Sequence, residues 1–264
     1  MAAAPLVRLI QRWRHWRDAR RIARHAISDM LWSQTLERYP FLRQAEPPER
    51  LRRMASLFLS LKEFHGADGL QVDDAMAVAV AAQACLPVLD LGLGLYEASR
   101  TIVLHPAEVR APREDRDSDG LVHEWTEELA GEALEGGPLM LAWSAVEAAA
   151  QPQPDAPVFN VVLHEFVHLI DLANGAADGV PPLPDAQAAA RWHDQLSRAW
   201  DRFGDRIAHR ESSCIDPYGN QALEEFFAVA SEAFFVAPEA LRTEDAALFA
   251  LLQSYFKPAP RPER

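Results

Sequence analysis

The chain has 264 residues, of which 49% are hydrophobic and 25% charged, and it carries a net charge of −13. These values predict an ordinary globular protein with one large domain, and the acidity argues against nucleic-acid binding by the body as a whole. No run reaches the roughly 18 or more uninterrupted apolar residues of a membrane span. Cys85 and Cys214 are the only cysteines, too few and too far apart for a disulfide framework or a cysteine zinc cluster. The start, Met1-Ala2-Ala3-Ala4-Pro5, runs into arginines without the apolar core of a secretory signal, so a cytoplasmic protein is expected.

Residues 1–26 hold seven arginines against Asp18, a local charge of +6 that leaves −19 on the remainder. Leu6, Leu9, Ile10, Trp13, Trp16 and Ile22 fall near helical spacing among those arginines, which predicts a basic amphipathic segment. Docking on the acidic body of the same protein, or partial disorder, is the preferred reading over contact with anionic lipid. Residues 47–64 form a second amphipathic pattern, with Leu51, Met54, Leu57, Phe58, Leu61 and Phe64 on one face and Gly66 beyond its end. Asp73 is a candidate N-cap for the apolar helix 75–86, which Pro87 helps to stop.

Residues 100–104 and 139–143 are short β-type runs. Between them, residues 113–135 contain nine acidic and two basic residues and read as a solvated loop and hairpin. A Pro-rich connector at 151–157 then delivers the chain to an apolar helix. Beyond it come a Gly/Pro loop at 175–185 and helical stretches at 186–203, 222–235 and 244–256, with Pro238 as a break. The sum is an α+β protein, mostly helical with a small sheet. Its organisation is a basic segment at 1–26, one catalytic core at 27–256 and a Pro-rich tail at 257–264.

The chemistry concentrates in His164-Glu165-Phe166-Val167-His168. Positions i and i+4 project side by side on a helix, so both imidazoles reach one metal ion, and the intervening carboxylate is placed to take a proton from a metal-bound water. Asn174-Gly175 supplies the helix stop. A hydrolytic zinc site needs a third protein ligand and one open position. Asp171, on the same face as His168, is one candidate, either as ligand or as a group orienting an imidazole. The segment 222–235 is the stronger source, because Glu225 and Glu232 share one face of an otherwise apolar helix, and a buried carboxylate demands a partner. Tyr218 lies in a turn seven residues before Glu225, where its phenol is placed to hydrogen-bond the oxyanion of a tetrahedral intermediate.

At these residues the chain resembles the Mlc titration factor A family of bacterial zinc peptidases and, more distantly, the catalytic domain of anthrax lethal factor. The likeness runs from about residue 28 to 256. It includes Ala81-Ala82-Gln83-Ala84-Cys85-Leu86-Pro87, Val122-His123-Glu124, Gly137-Pro138-Leu139-Met140-Leu141-Ala142-Trp143, Asn160 through Asp171, and Glu225-Phe226-Phe227-Ala228-Val229-Ala230-Ser231-Glu232. It departs from the usual pattern at Leu169, where a lysine often follows the second histidine. The resemblance implies a zincin-like fold, one Zn2+ held by His164, His168 and Glu225, Glu165 as general base and Tyr218 supporting the transition state. It also implies aminopeptidase-like cleavage of small peptides in the cytoplasm and binding to a glucose-responsive transcriptional repressor. A different class of function is a non-catalytic protein that sequesters the repressor and whose zinc is structural. The absence of a fourth N, O or S ligand from the pattern speaks against that class.

Overall fold

A computed structural model describes residues 17–116, 122–133, 137–151 and 156–257. Most of the basic segment, the tip of the acidic hairpin, the middle of the Pro-rich connector and the tail from residue 258 lie outside these. Residues 17–24 are helical. Helix α1 (Asp29–Arg38) follows, and its Ser28 side chain accepts from the Leu31 N–H. Helix α2 (Pro48–Leu59) buries Leu51, Ala55 and Phe58. The amphipathic pattern extends to Phe64, but the helix stops at Leu59. Phe64 belongs instead to strand β1 (Glu63–Gly66), which pairs in parallel with strand β2 (Thr101–His105).

Helix α3 (Asp74–Cys85) starts at the predicted cap, with the Asp73 carboxylate accepting from Met76 N at 2.8 Å. Its run from Val78 to Cys85 is buried on every side. The acidic stretch contains an antiparallel hairpin, β3 (Val109–Arg116) with β4 (Val122–Leu129). Strand β5 (Gly131–Ala133) then joins the main sheet, and strand β6 (Leu139–Ala142) leads into helix α4 (Trp143–Ala148). The four-stranded sheet runs β1-β2-β6-β5; its first three strands are parallel and β5 is antiparallel to β6 at the edge. Ile102, Leu104, Leu139 and Leu141 alternate onto the buried face, the period of two expected of strands covered on one side.

Helix α5 (Val161–Asp171) carries the motif and packs against α3, β5 and helix α7 (Leu223–Val236). Asn160 caps α5 by accepting from Leu163 N at 2.9 Å. The helix ends at Asp171, a single 3₁₀ turn follows, and Gly175 at φ +98° reverses the chain as its sequence position predicts. Helix α6 (Ala186–Ala208) runs five residues past the predicted end at 203, with Trp192, Leu196, Ala199 and Phe203 buried. Pro238 does more than break a helix: it opens α8 (Pro238–Glu244) at a position where its missing N–H costs nothing, and α9 (Ala246–Phe256) closes the core. No helix among the described residues is long and apolar enough to cross a membrane.

Candidate metal centre

Two helices build the centre. On α5, His164 and His168 stand one turn apart with Nε2 atoms 3.1 Å from each other. Across from them α7 presents Glu225, whose Oε2 lies 3.1 Å from His164 Nε2 and 3.4 Å from His168 Nε2. Three donor atoms thus form a nearly equilateral triangle. Tetrahedral ligands bound at about 2.0–2.1 Å stand about 3.3 Å from one another, so the triangle suits one metal ion. The site is also unsatisfied without a cation, since Glu225 Oε2 is buried and has no hydrogen-bond partner. Among the described residues this is the one group of three His, Cys, Asp or Glu side chains with such spacing.

The electrostatics point the same way. Burial works against a charged His164, yet the carboxylates of Glu225 and Glu232 on either side of the ring outweigh it and raise its pKa well above the ordinary value. Burial would raise the Glu225 pKa, but the two imidazoles hold it well below the carboxylate range. The pocket is therefore built for positive charge. Glu165 differs: burial raises its pKa, with the two histidines only partly opposing.

Glu232 orients the first histidine. Its side chain is 2% exposed, and Oε1 accepts from His164 Nδ1 at 2.8 Å. With Nδ1 carrying the proton, Nε2 turns its lone pair to the triangle. The other carboxylate oxygen of Glu232 accepts the Asn160 backbone N–H. Asn160 Nδ2 in turn donates to Gln83 Oε1 at 2.8 Å, so a buried chain runs from α3 through the cap of α5 to the metal-facing imidazole. Asp171 takes no part in the donor triangle. It is fully buried, and its Oδ2 accepts Gly179 N at 2.8 Å, which anchors the loop beyond the motif helix.

Tyr218 sits on a 3₁₀ turn (Pro217–Asn220) capped by Asp216, which accepts Tyr218 N at 2.8 Å. The turn lies directly on α7 because Gly219 has no side chain: a Cβ there would stand 2.5 Å from Val229 Cγ2. The tyrosine is 38% exposed and its ring centroid is 6.0 Å from that of His164. A cavity of about 260 Å³ opens beside the triangle, with Gly131, Phe159, His164, Glu165 and Tyr218 among its walls. Sequence patterns singled out the histidines, Glu165, Glu225, Glu232 and Tyr218, and the fold brings all of them together. Gly131 and Asn160 went unmarked; the cap position of Asn160 ahead of an apolar helix was a usable signal, whereas Gly131 offered none.

A profile for the family described as glucose-regulated metallo-peptidase M90 matches residues 13–257. The chain belongs to that family. It is 31% identical over 238 residues to Mlc titration factor A of Salmonella arizonae, spanning 88% of this chain and 92% of that one. The protein of the same description from Serratia proteamaculans is 34% identical over 215 residues, covering 80% of each chain. An uncharacterized protein of Synechocystis, slr2042, is 31% identical over 249 residues, or 92% of this chain and 89% of that one. Membership of M90 makes this chain a metallopeptidase by family, with the small mixed sheet and helical body described above.

Proposed function

We propose that this M90 member is a zinc-dependent peptidase, with His164, His168 and Glu225 as metal ligands, Glu165 as general base and Tyr218 as oxyanion donor. The observation that carries the reading is the convergence of three nitrogen and oxygen donors around one point, beside a buried carboxylate and a cavity. When bound, zinc polarises the scissile carbonyl and acidifies water. Glu165 then accepts the water's proton and passes it to the leaving amine, a shuttle favoured by the raised pKa that burial gives it. The Tyr218 hydroxyl donates to the developing oxyanion from the turn above α7. Glu232 fixes the tautomer and ring plane of His164 throughout. Strand β5, the edge of the sheet, borders the cavity and offers backbone groups to an extended peptide.

We further propose that this chain binds a transcriptional repressor and works in the cytoplasm, a role compatible with catalysis; the relatives' description as titration factors supports the binding. A purely regulatory role with structural zinc fits less well, because such sites are closed by four protein ligands and three donors meet here. The deciding experiment pairs metal analysis with a peptide-library digest, comparing wild type with Glu165→Gln. One zinc in both proteins and hydrolysis by wild type alone is expected. Equal hydrolysis by the variant refutes the mechanism, and the cleavage products tell aminopeptidase from endopeptidase action.

A further inference from the structure

Resting on the reading of Glu165 as base, we propose that Gly131 is the residue that positions it. Glu165 is 5% exposed, and its carboxyl arm lies flat against the sheet edge, so packing on that side limits where the side chain can point. The packing partner is the backbone of β5. A Cβ on residue 131 would lie 2.6 Å from Glu165 Cγ, 2.6 Å from Oε1 and 2.8 Å from Cδ. These are successive atoms of one side chain, so a small turn about its last bond does not clear the contact. The clash requires a new rotamer of the whole side chain.

The strand is the more constrained partner. Gly131 stands in register with Leu141 on β6, and the neighbouring Ala130 carbonyl accepts Ala142 N at 2.7 Å. Strand β6 is in turn paired with β2 on its other side. Glu165 has a flexible side chain and an adjoining cavity to move into. Any residue larger than glycine at 131 therefore displaces the base and leaves the strand where it is. The absence of a side chain lets the sheet edge form one wall of the base's seat, the wall that fixes the direction in which its carboxylate points.

The test combines Gly131→Ala, Glu165→Ala and the double variant, read by thermal midpoint, zinc content and peptide hydrolysis. Gly131→Ala is expected to bind one zinc and to lose on the order of a hundredfold in kcat with KM little changed, the cost of a base misplaced by about 1 Å. The midpoint is expected to fall when Gly131→Ala is made in the wild type and to stay constant when it is made in Glu165→Ala, which lacks the atoms that clash. Full activity of Gly131→Ala overturns the proposal. An equal fall of the midpoint in both backgrounds overturns it as well, since the strain then lies elsewhere. Should Gly131→Ala alone fail to fold, the double variant decides: folding like Glu165→Ala supports the contact, and misfolding refutes it. Failure of the base assignment is separable, because Glu165→Gln would then hydrolyse peptides while the midpoint comparison still reads the contact.

Discussion

Replacing Glu232 by glutamine removes one charge and no volume, yet the local hydrogen bonding makes it a severe change. In the native site both carboxylate oxygens accept: one from His164 Nδ1 at 2.8 Å, the other from the Asn160 backbone N–H. A glutamine amide has one accepting end and one donating end. If its oxygen serves Asn160, its NH2 group faces His164 Nδ1 and drives the imidazole to the tautomer whose Nε2 carries the proton, which blocks the metal-facing lone pair. If its oxygen serves His164, the NH2 group opposes the Asn160 N–H at the first turn of the motif helix. The second arrangement leaves a buried donor without an acceptor, a cost of about 1–3 kcal/mol, the first protonates the nitrogen that faces the triangle, and loss of an orienting carboxylate weakens metal binding by about 10–100-fold. Competitive zinc titration against a chromophoric chelator measures that loss directly, with the thermal midpoint as a second reading. Zinc affinity and stability both equal to wild type would refute the role given to Glu232.

Tyr218→Phe is expected to keep zinc and fold while lowering kcat by about 10²–10³-fold, the usual cost of one oxyanion donor, measured on a cleaved library peptide; an unchanged kcat removes Tyr218 from the mechanism. Asp171 yields a pH prediction. Burial raises its pKa from 3.8 to about 6 against the opposing Gly179 hydrogen bond, so the folded protein holds this proton more tightly than the unfolded chain. The resulting stability is full below the unfolded value and is lost as pH rises through about 6, for a total of about 3 kcal/mol. Asp171→Asn keeps an oxygen for Gly179 N, so denaturant titrations should show it more stable than wild type at pH 7, with the advantage vanishing near pH 4; a constant difference across that range contradicts the assignment.

Much of this site was legible because its chemistry depends on helical spacing. His164 and His168 meet because i and i+4 share a face, and that relation holds whatever the helix packs against. Glu225 and Glu232 were conspicuous as carboxylates on an apolar helix, where burial without a partner is too costly to stand. The illegible parts depend on contacts between distant segments. Strand β1 reads Glu-Phe-His-Gly, a sequence without alternation, and only its pairing with β2 makes it a strand. Gly131 sits within an acidic stretch whose composition predicts solvent. Its importance arises from where the sheet edge crosses α5, and spacing along the chain cannot encode that crossing.

The distribution of charge explains why catalysis and stability are hard to separate in this architecture. Glu165, Glu225 and Glu232 bring three carboxylates to the place where α5 meets α7, two helices whose other residues are mostly apolar and buried. The same carboxylates raise the His164 pKa, so the bare site favours positive charge on that ring. A divalent metal held by the triangle would bring two charges and meet Glu225 Oε2, an acceptor without a hydrogen-bond partner. Such a metal would compete with protons for the imidazoles, which would tie its affinity to pH, and would add to the folding free energy, because the unfolded chain has no such triangle. Glu165 is held differently: among the described residues no hydrogen bond reaches its carboxylate. Burial raises its proton affinity, and close packing against Gly131 seats its carboxylate where hydrogen bonds seat that of Glu232.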